Sequence, residues 1–145
     1  MQDFRHNDFA IGCPDGWLDV STVVLAGPPD GEFSPNITVT CEPLEEPLSC
    51  ARYAEQQLPA LREEFGEMGY KVKIEGPIKL GDLECHQRIH TFGMPESQME
   101  LQQWQVYVVV GDRAFTVTST DKLQTFDRNF PLFRQAVAQL KFLKP

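Results

Sequence analysis

The stretch LQQWQVYVVVGDRAFTVTST, Leu101 to Thr120, constrains the fold more than any other part of the chain. Two runs rich in Val, Thr and aromatic residues flank Gly111-Asp112, and glycine in the first place of a two-residue loop marks a type II′ hairpin. The loop length sets the register. Val108 then opposes Phe115 and Val106 opposes Val117, and directly opposed residues share a face. One face becomes Trp104, Val106, Val108, Phe115 and Val117, a seat for helices. The other carries Leu101, Gln103, Gln105, Tyr107, Val109, Ala114, Thr116 and Thr118, with no charged residue among them. A loop or a helix could cover that second face. Its lack of charge beside an aromatic also fits the centre of a contact surface.

Further runs are expected as strands: Trp17 to Leu25, Asn36 to Cys41, Tyr70 to Leu80 and Leu83 to Phe92, with Met99 to Val110 and Arg113 to Ser119 forming the hairpin. Between the early and late strands, Cys50, Tyr53, Ala54, Leu58, Leu61, Phe65 and Met68 recur at helical spacing. Ser49 is placed to cap this helix, and Gly66 or Gly69 to stop it. Pro59 predicts a kink or break, because it removes a hydrogen bond and clashes with the preceding turn. A second amphipathic helix is expected over residues 129–142. Serial strands with short joints, interrupted by two helices, give an α+β fold: an antiparallel sheet with helices packed on it, in one domain spanning residues 1–145.

The site chemistry of enzymes is scarce. His86 and His90 lie four apart, but in a strand their Cα atoms stand about 13 Å from each other, too far for one zinc. Glu84, His86, Arg88 and His90 read instead as a solvated strand face. No phosphate-binding glycine loop or nucleophile elbow occurs. The four cysteines show no C-x-x-C pair and read as reduced, partly buried side chains. The expectation is therefore no catalytic residues, no metal and no cofactor. A net charge of −8 speaks against a nucleic-acid partner. The longest apolar run, Val106 to Val110, is far too short to span a membrane. With no secretory signal in MQDFRHNDFAIG, the chain is expected to be cytoplasmic and not inserted in a membrane.

The segment PDGWLDVS, Pro14 to Ser21, resembles the P-D-x-W-x-D-x-S opening of the DcrB-like family within the PsbP-like superfamily. Tyr53 to Leu58 (Y-x-x-x-Q-L), Gln105 to Tyr107 (Q-V-Y), and Phe115 to Thr118 running through Leu123 to the last helix agree with it in order. Cys13 and Pro59 depart from it. The resemblance implies a PsbP-like α/β/α sandwich, with Trp17 as a structural anchor whose truncation would cost about 3–5 kcal/mol. Short members without a signal look like Eag-type chaperones of type VI secretion. These are homodimers that hold the hydrophobic N-terminal segments of PAAR- or Rhs-containing effectors. For that role the client-binding residues are expected on the second face of the hairpin: Leu101, Gln103, Gln105, Tyr107, Val109, Thr116 and Thr118. A non-enzymatic PsbP-like binding module of the cell envelope, or one acting on another protein, is the alternative. An enzyme with an unrecognised pocket is a third reading.

Overall fold

Two Gly-Asp pairs space the strands of the main sheet. In the computed structural model, which describes residues 1–6 and 8–142, Gly111-Asp112 joins β7 (Met99–Val110) to β8 (Arg113–Lys122). Gly81-Asp82 joins β5 (Lys71–Leu80) to β6 (Leu83–Met94) in the same way. Both glycines have positive φ, +61° and +63°, whereas neither aspartate does. That is the type II′ pattern, and its twist suits the strands it joins. Val108 pairs with Phe115 and Val106 with Val117, as the loop length requires.

Two further strands complete a six-stranded antiparallel sheet. β3 (Val23–Ala26) and β4 (Asn36–Pro43) give the order β3-β4-β8-β7-β6-β5. A separate hairpin, β1 (Gln2–His6) with β2 (Phe9–Cys13), precedes it. This hairpin makes at most marginal contact with the main sheet and helices.

Helices cover both faces. α2 (Leu123–Ala138) lays Phe126, Phe133 and Val137 on Trp104, Val106, Val108 and Val117. On the opposite face α1 (Cys50–Phe65) lays Tyr53 and Ala54 on Tyr107 and Ala114. The result is the expected α+β sandwich of helix, sheet and helix.

Local chemistry explains where the elements begin and end. The Ser49 hydroxyl accepts from the Arg52 amide at 3.1 Å and starts α1. The helix continues through Pro59 rather than breaking there. Pro59 and Glu55 are both exposed, so water satisfies the carbonyl that the missing N–H leaves. A 3-10 turn (Gly66–Met68) follows, and Gly69 at φ +71° ends the run. α2 begins six residues before the expected start, immediately after β8. The fully buried Asp121 carboxylate explains this, accepting from the Lys122 amide at 2.8 Å, Thr125 at 2.9 Å and Asn129 at 2.7 Å. Among the rest of the 129–142 stretch, residues 139–142 lie beyond the helix.

The first expected strand is shorter than the sequence suggests, and Trp17 is not a core anchor. Pro14 to Trp17 form the anticipated turn, with Gly16 at φ +82° and the Trp17 amide donating to the Pro14 carbonyl at 3.1 Å. The Asp19 carboxylate then accepts from the Ser21 amide at 2.9 Å. That local bond competes with ladder pairing and delays the strand to Val23. Trp17 is 72% exposed, since neither helix extends over it. Trp17→Ala in dilute protein should therefore shift stability by no more than about 0.5 kcal/mol; a urea titration showing a loss of several kcal/mol would contradict this placement.

Candidate functional site

The face beneath α1 is organised in rows that run across the strands. One row reads Val24, Thr38, Thr118, Gln105, Arg88 and Glu75. Its neighbour reads Thr40, Thr116, Tyr107, His86 and Pro77, and the next Asn36, Thr120, Gln103, His90 and Val72. Side chains alternate faces along a strand, so all of these point the same way.

α1 divides this face into two. Over β6 and β7 it seals a polar cluster. Arg88, only 1% exposed, donates Nε to Glu75 Oε1 at 2.8 Å and Nη2 to Glu75 Oε2 at 2.9 Å. Its other bonds reach the Tyr107 hydroxyl at 2.7 Å and the Ala54 carbonyl of α1 at 3.0 Å. The guanidinium thus ties helix to sheet, and the bidentate pair is the strong form of such a contact. His86 Nε2 lies 2.8 Å from Glu75 Oε2. Tyr107 donates onward to Gln105, and Gln105 to Thr118 at 3.3 Å. A second chain runs from Tyr70, 3.0 Å from His90 Nδ1, through His90 Nε2, 2.7 Å from Gln103 Oε1, to Thr120, 3.1 Å from Gln103 Nε2. Since Gln103 donates its amide to Thr120, its carbonyl accepts from His90 Nε2–H, and Nδ1 accepts from Tyr70.

These contacts set the ionisation of the cluster. Burial pushes His90 down to about 4, against the opposing pull of Gln103. Burial alone would raise the Glu75 carboxyl, but hydrogen bonds from Arg88 and His86 outweigh it and hold the group below its ordinary value. Burial raises the Tyr107 phenol despite the neighbouring Arg88 cation. At neutral pH the Arg88–Glu75 ion pair therefore stands beside a neutral His90 imidazole and neutral phenols. The cluster's strongly shifted groups are spent on one another.

Over β4 and β8 the same face is open. Thr116, Thr118 and Thr38 are half-buried and Thr40 is exposed, with Val24 60% exposed at the edge. Gln103 is half-buried beside them. These residues carry hydroxyls, methyls and amides and no charge, and the exposed Glu42, next on the same face of β4, bounds them at one end.

The residues expected to contact a partner are thus split. Gln103, Thr116 and Thr118 line the open strip, and Val109 is half-buried against the Tyr53 cluster. Leu101, Gln105 and Tyr107 are buried, Tyr107 completely. The expectation of one continuous exposed surface is corrected here, because α1 occupies its centre. The face is also not free of charge, since Arg88 and Glu75 stand in the row of Gln105. The strand face of His86, Arg88 and His90, expected in solvent, is the floor beneath α1. Among the described residues no group of His, Cys, Asp and Glu is arranged to hold a metal ion, and no helix is long and apolar enough to cross a membrane. All four cysteines are free.

The DcrB family model matches residues 10–138. The chain belongs to the DcrB family. No curated protein matches its sequence. Among solved structures it is similar to PA94 from Pseudomonas aeruginosa, described as a protein of unknown function. The two share 17% identity with a TM-score of 0.80, over 100% of this chain and 99% of that one. At that identity the likeness is one of fold. It covers the whole architecture, helices included.

Proposed function

We propose that this DcrB-family chain is a cytoplasmic, non-enzymatic chaperone or adaptor, working as a homodimer. Its clients are type VI secretion effectors of the PAAR or Rhs kind, whose hydrophobic N-terminal segments it shields until loading. One observation carries the reading: the open, uncharged strip of Thr38, Thr40, Thr116 and Thr118 between α1 and the edge at Val24. Threonine presents a methyl to apolar side chains and a hydroxyl to any polar group of the segment, which a charged surface cannot do cheaply. A transmembrane segment of about 20 apolar residues aggregates in water unless covered. The net charge of −8 would keep the loaded complex dispersed. The turning inward of the strongly shifted groups supports binding rather than catalysis.

Co-expression tests this. A reporter bearing an N-terminal Leu-Ala segment of about 20 residues should co-purify with the chain, and the reporter without the segment should not. Thr116→Asp with Thr118→Asp should reduce capture at least tenfold while leaving the circular dichroism unchanged. Undiminished capture by the folded double variant, or equal capture of both reporters, would rule the strip out.

A further inference from the structure

α2 leaves part of its own side of the sheet uncovered. Its apolar stripe rests on β7 and β8, whereas β5 and the outer part of β6 extend beyond it. A groove of about 700 Å³ lies there, between α2 and the β5 edge. Its floor is Ile74, Ile78 and Leu80 of β5 with Ile89 and Trp104. Its wall is Phe130, Arg134 and Ala138, on successive turns of α2. Gly76 stands opposite Gln87 between Ile74 and Ile78, and a Cβ there would meet no atom within 4 Å. Glycine inside a strand forgoes packing, and this one leaves a hollow along the floor. From Ile74 to Leu80 the floor runs roughly 20 Å. Its volume is that of a small-molecule site.

We infer that this groove binds the acyl chain of a free fatty acid, with the carboxylate held at Arg134 and Lys79. Charge selects an anion. Lys79 and Arg134 are the charged residues that line the groove. Neither has a carboxylate partner among the described residues. In a chain of net charge −8, two such cations at one apolar groove run against the overall balance. Arg134 lies over the Phe130 ring, 5.9 Å from its centroid, and that ring meets Trp104 edge-on at 5.1 Å. The guanidinium is thus held beside the apolar floor, with its planar fork available to a carboxylate.

The scarcity of hydrogen-bonding groups selects an acyl chain over a peptide. Gln87 is the polar side chain on the floor, and its carbonyl accepts from the Trp104 indole N–H at 2.9 Å. An extended peptide would bring an N–H and a C=O at every residue to a floor that cannot pair them. The β5 edge does not supply the partners either. Pro77 lacks an N–H, a register shift separates Val72 from Ile74, and Lys71, Lys73 and Lys79 guard the strand. A hydrocarbon chain needs none of these bonds. The groove lies on the opposite side of the sheet from the threonine strip, and the inference does not depend on the client-shielding reading.

The chain has two tryptophans, so in a Trp17→Phe background Trp104 on the groove floor is the single emitter. Titration with myristate below its micellar concentration should change that emission saturably, at an equimolar ratio. Laurate, two methylenes shorter, should bind about four- to sixteenfold more weakly. Myristylamine, with the same chain and a cationic head, should bind at least about tenfold more weakly than myristate. Gly76→Leu fills the hollow where space is open, and should abolish the saturable change while leaving the circular dichroism intact. Leu132→Ser, 64% exposed on α2 and outside this groove, should bind myristate as the natural chain does. A response to myristate that never saturates, equal binding of the amine, or undiminished binding by folded Gly76→Leu overturns the site. A saturable response to an apolar Leu-Ala peptide but not to myristate makes the occupant a peptide and overturns it as well.

Discussion

Arg88→Ala should lower the unfolding free energy by about 3–5 kcal/mol, a large share of the roughly 5–15 kcal/mol that holds a domain folded. The guanidinium is buried and anchors four acceptors: both Glu75 oxygens, the Tyr107 hydroxyl and the Ala54 carbonyl. Truncation leaves the last two without that donor inside the protein and opens a cavity under α1. Arg88→Lys should not rescue it, since an ammonium cannot form the bidentate contact and also reach Ala54. Urea titration followed by circular dichroism measures both variants. A loss below about 1 kcal/mol for Arg88→Ala would show that α1 is held by its apolar contacts alone.

Acid should destabilise the chain before its carboxylates titrate. His90 ionises near 4 when folded and near its ordinary 6.5 when unfolded. Between those values the unfolded chain binds a proton that the folded chain refuses. The stabilisation is complete above pH 6.5, declines as pH falls towards 4, and is lost below it. The difference is worth about 3 kcal/mol. Glu75, whose folded value is depressed, adds a loss at lower pH in the same direction. Urea titrations at pH 7, 5.5 and 4 should show the decline, and His90→Gln should flatten its upper part. A stability level across pH 7 to 4 in the natural chain would contradict the neutral, doubly bonded imidazole.

What could be read from the sequence depended on whether register could be counted. Gly111-Asp112 leaves no freedom in loop length, so the pairing of Val106 with Val117 and the sorting of residues onto two faces followed directly. β6 reaches β7 through residues 95–98, a joint whose length alone does not set pairing. Without it, Arg88 could not be placed opposite Gln105, and its charge argued for solvent. The alternation of His86, Arg88 and His90 with Cys85 and Ile89 was the available signal that one side of β6 is a core and the other faces something specific. Half of the candidate site was legible for the same reason. Thr116, Thr118 and Gln103 sit where the hairpin puts them, but nothing in their spacing says that α1 lands on Tyr107. Trp17 failed differently. A large aromatic is buried only if another element covers it, and the Asp19 turn carries this one past the end of the sheet.

The strand order has a consequence for synthesis. Thr40 pairs with Thr116, and the whole of β4 is sandwiched between β3 and β8. The ribosome delivers β3 and β4 early and β8 almost last, so the early hairpin has no neighbour on its β8 side for most of translation. The later meander can assemble from local pairings, whereas the closure onto β4 spans a long loop and is intrinsically slow. A nascent chain of this kind exposes its β3–β4 hairpin longest, and those are the strands on which crowding between neighbouring ribosomes would act first.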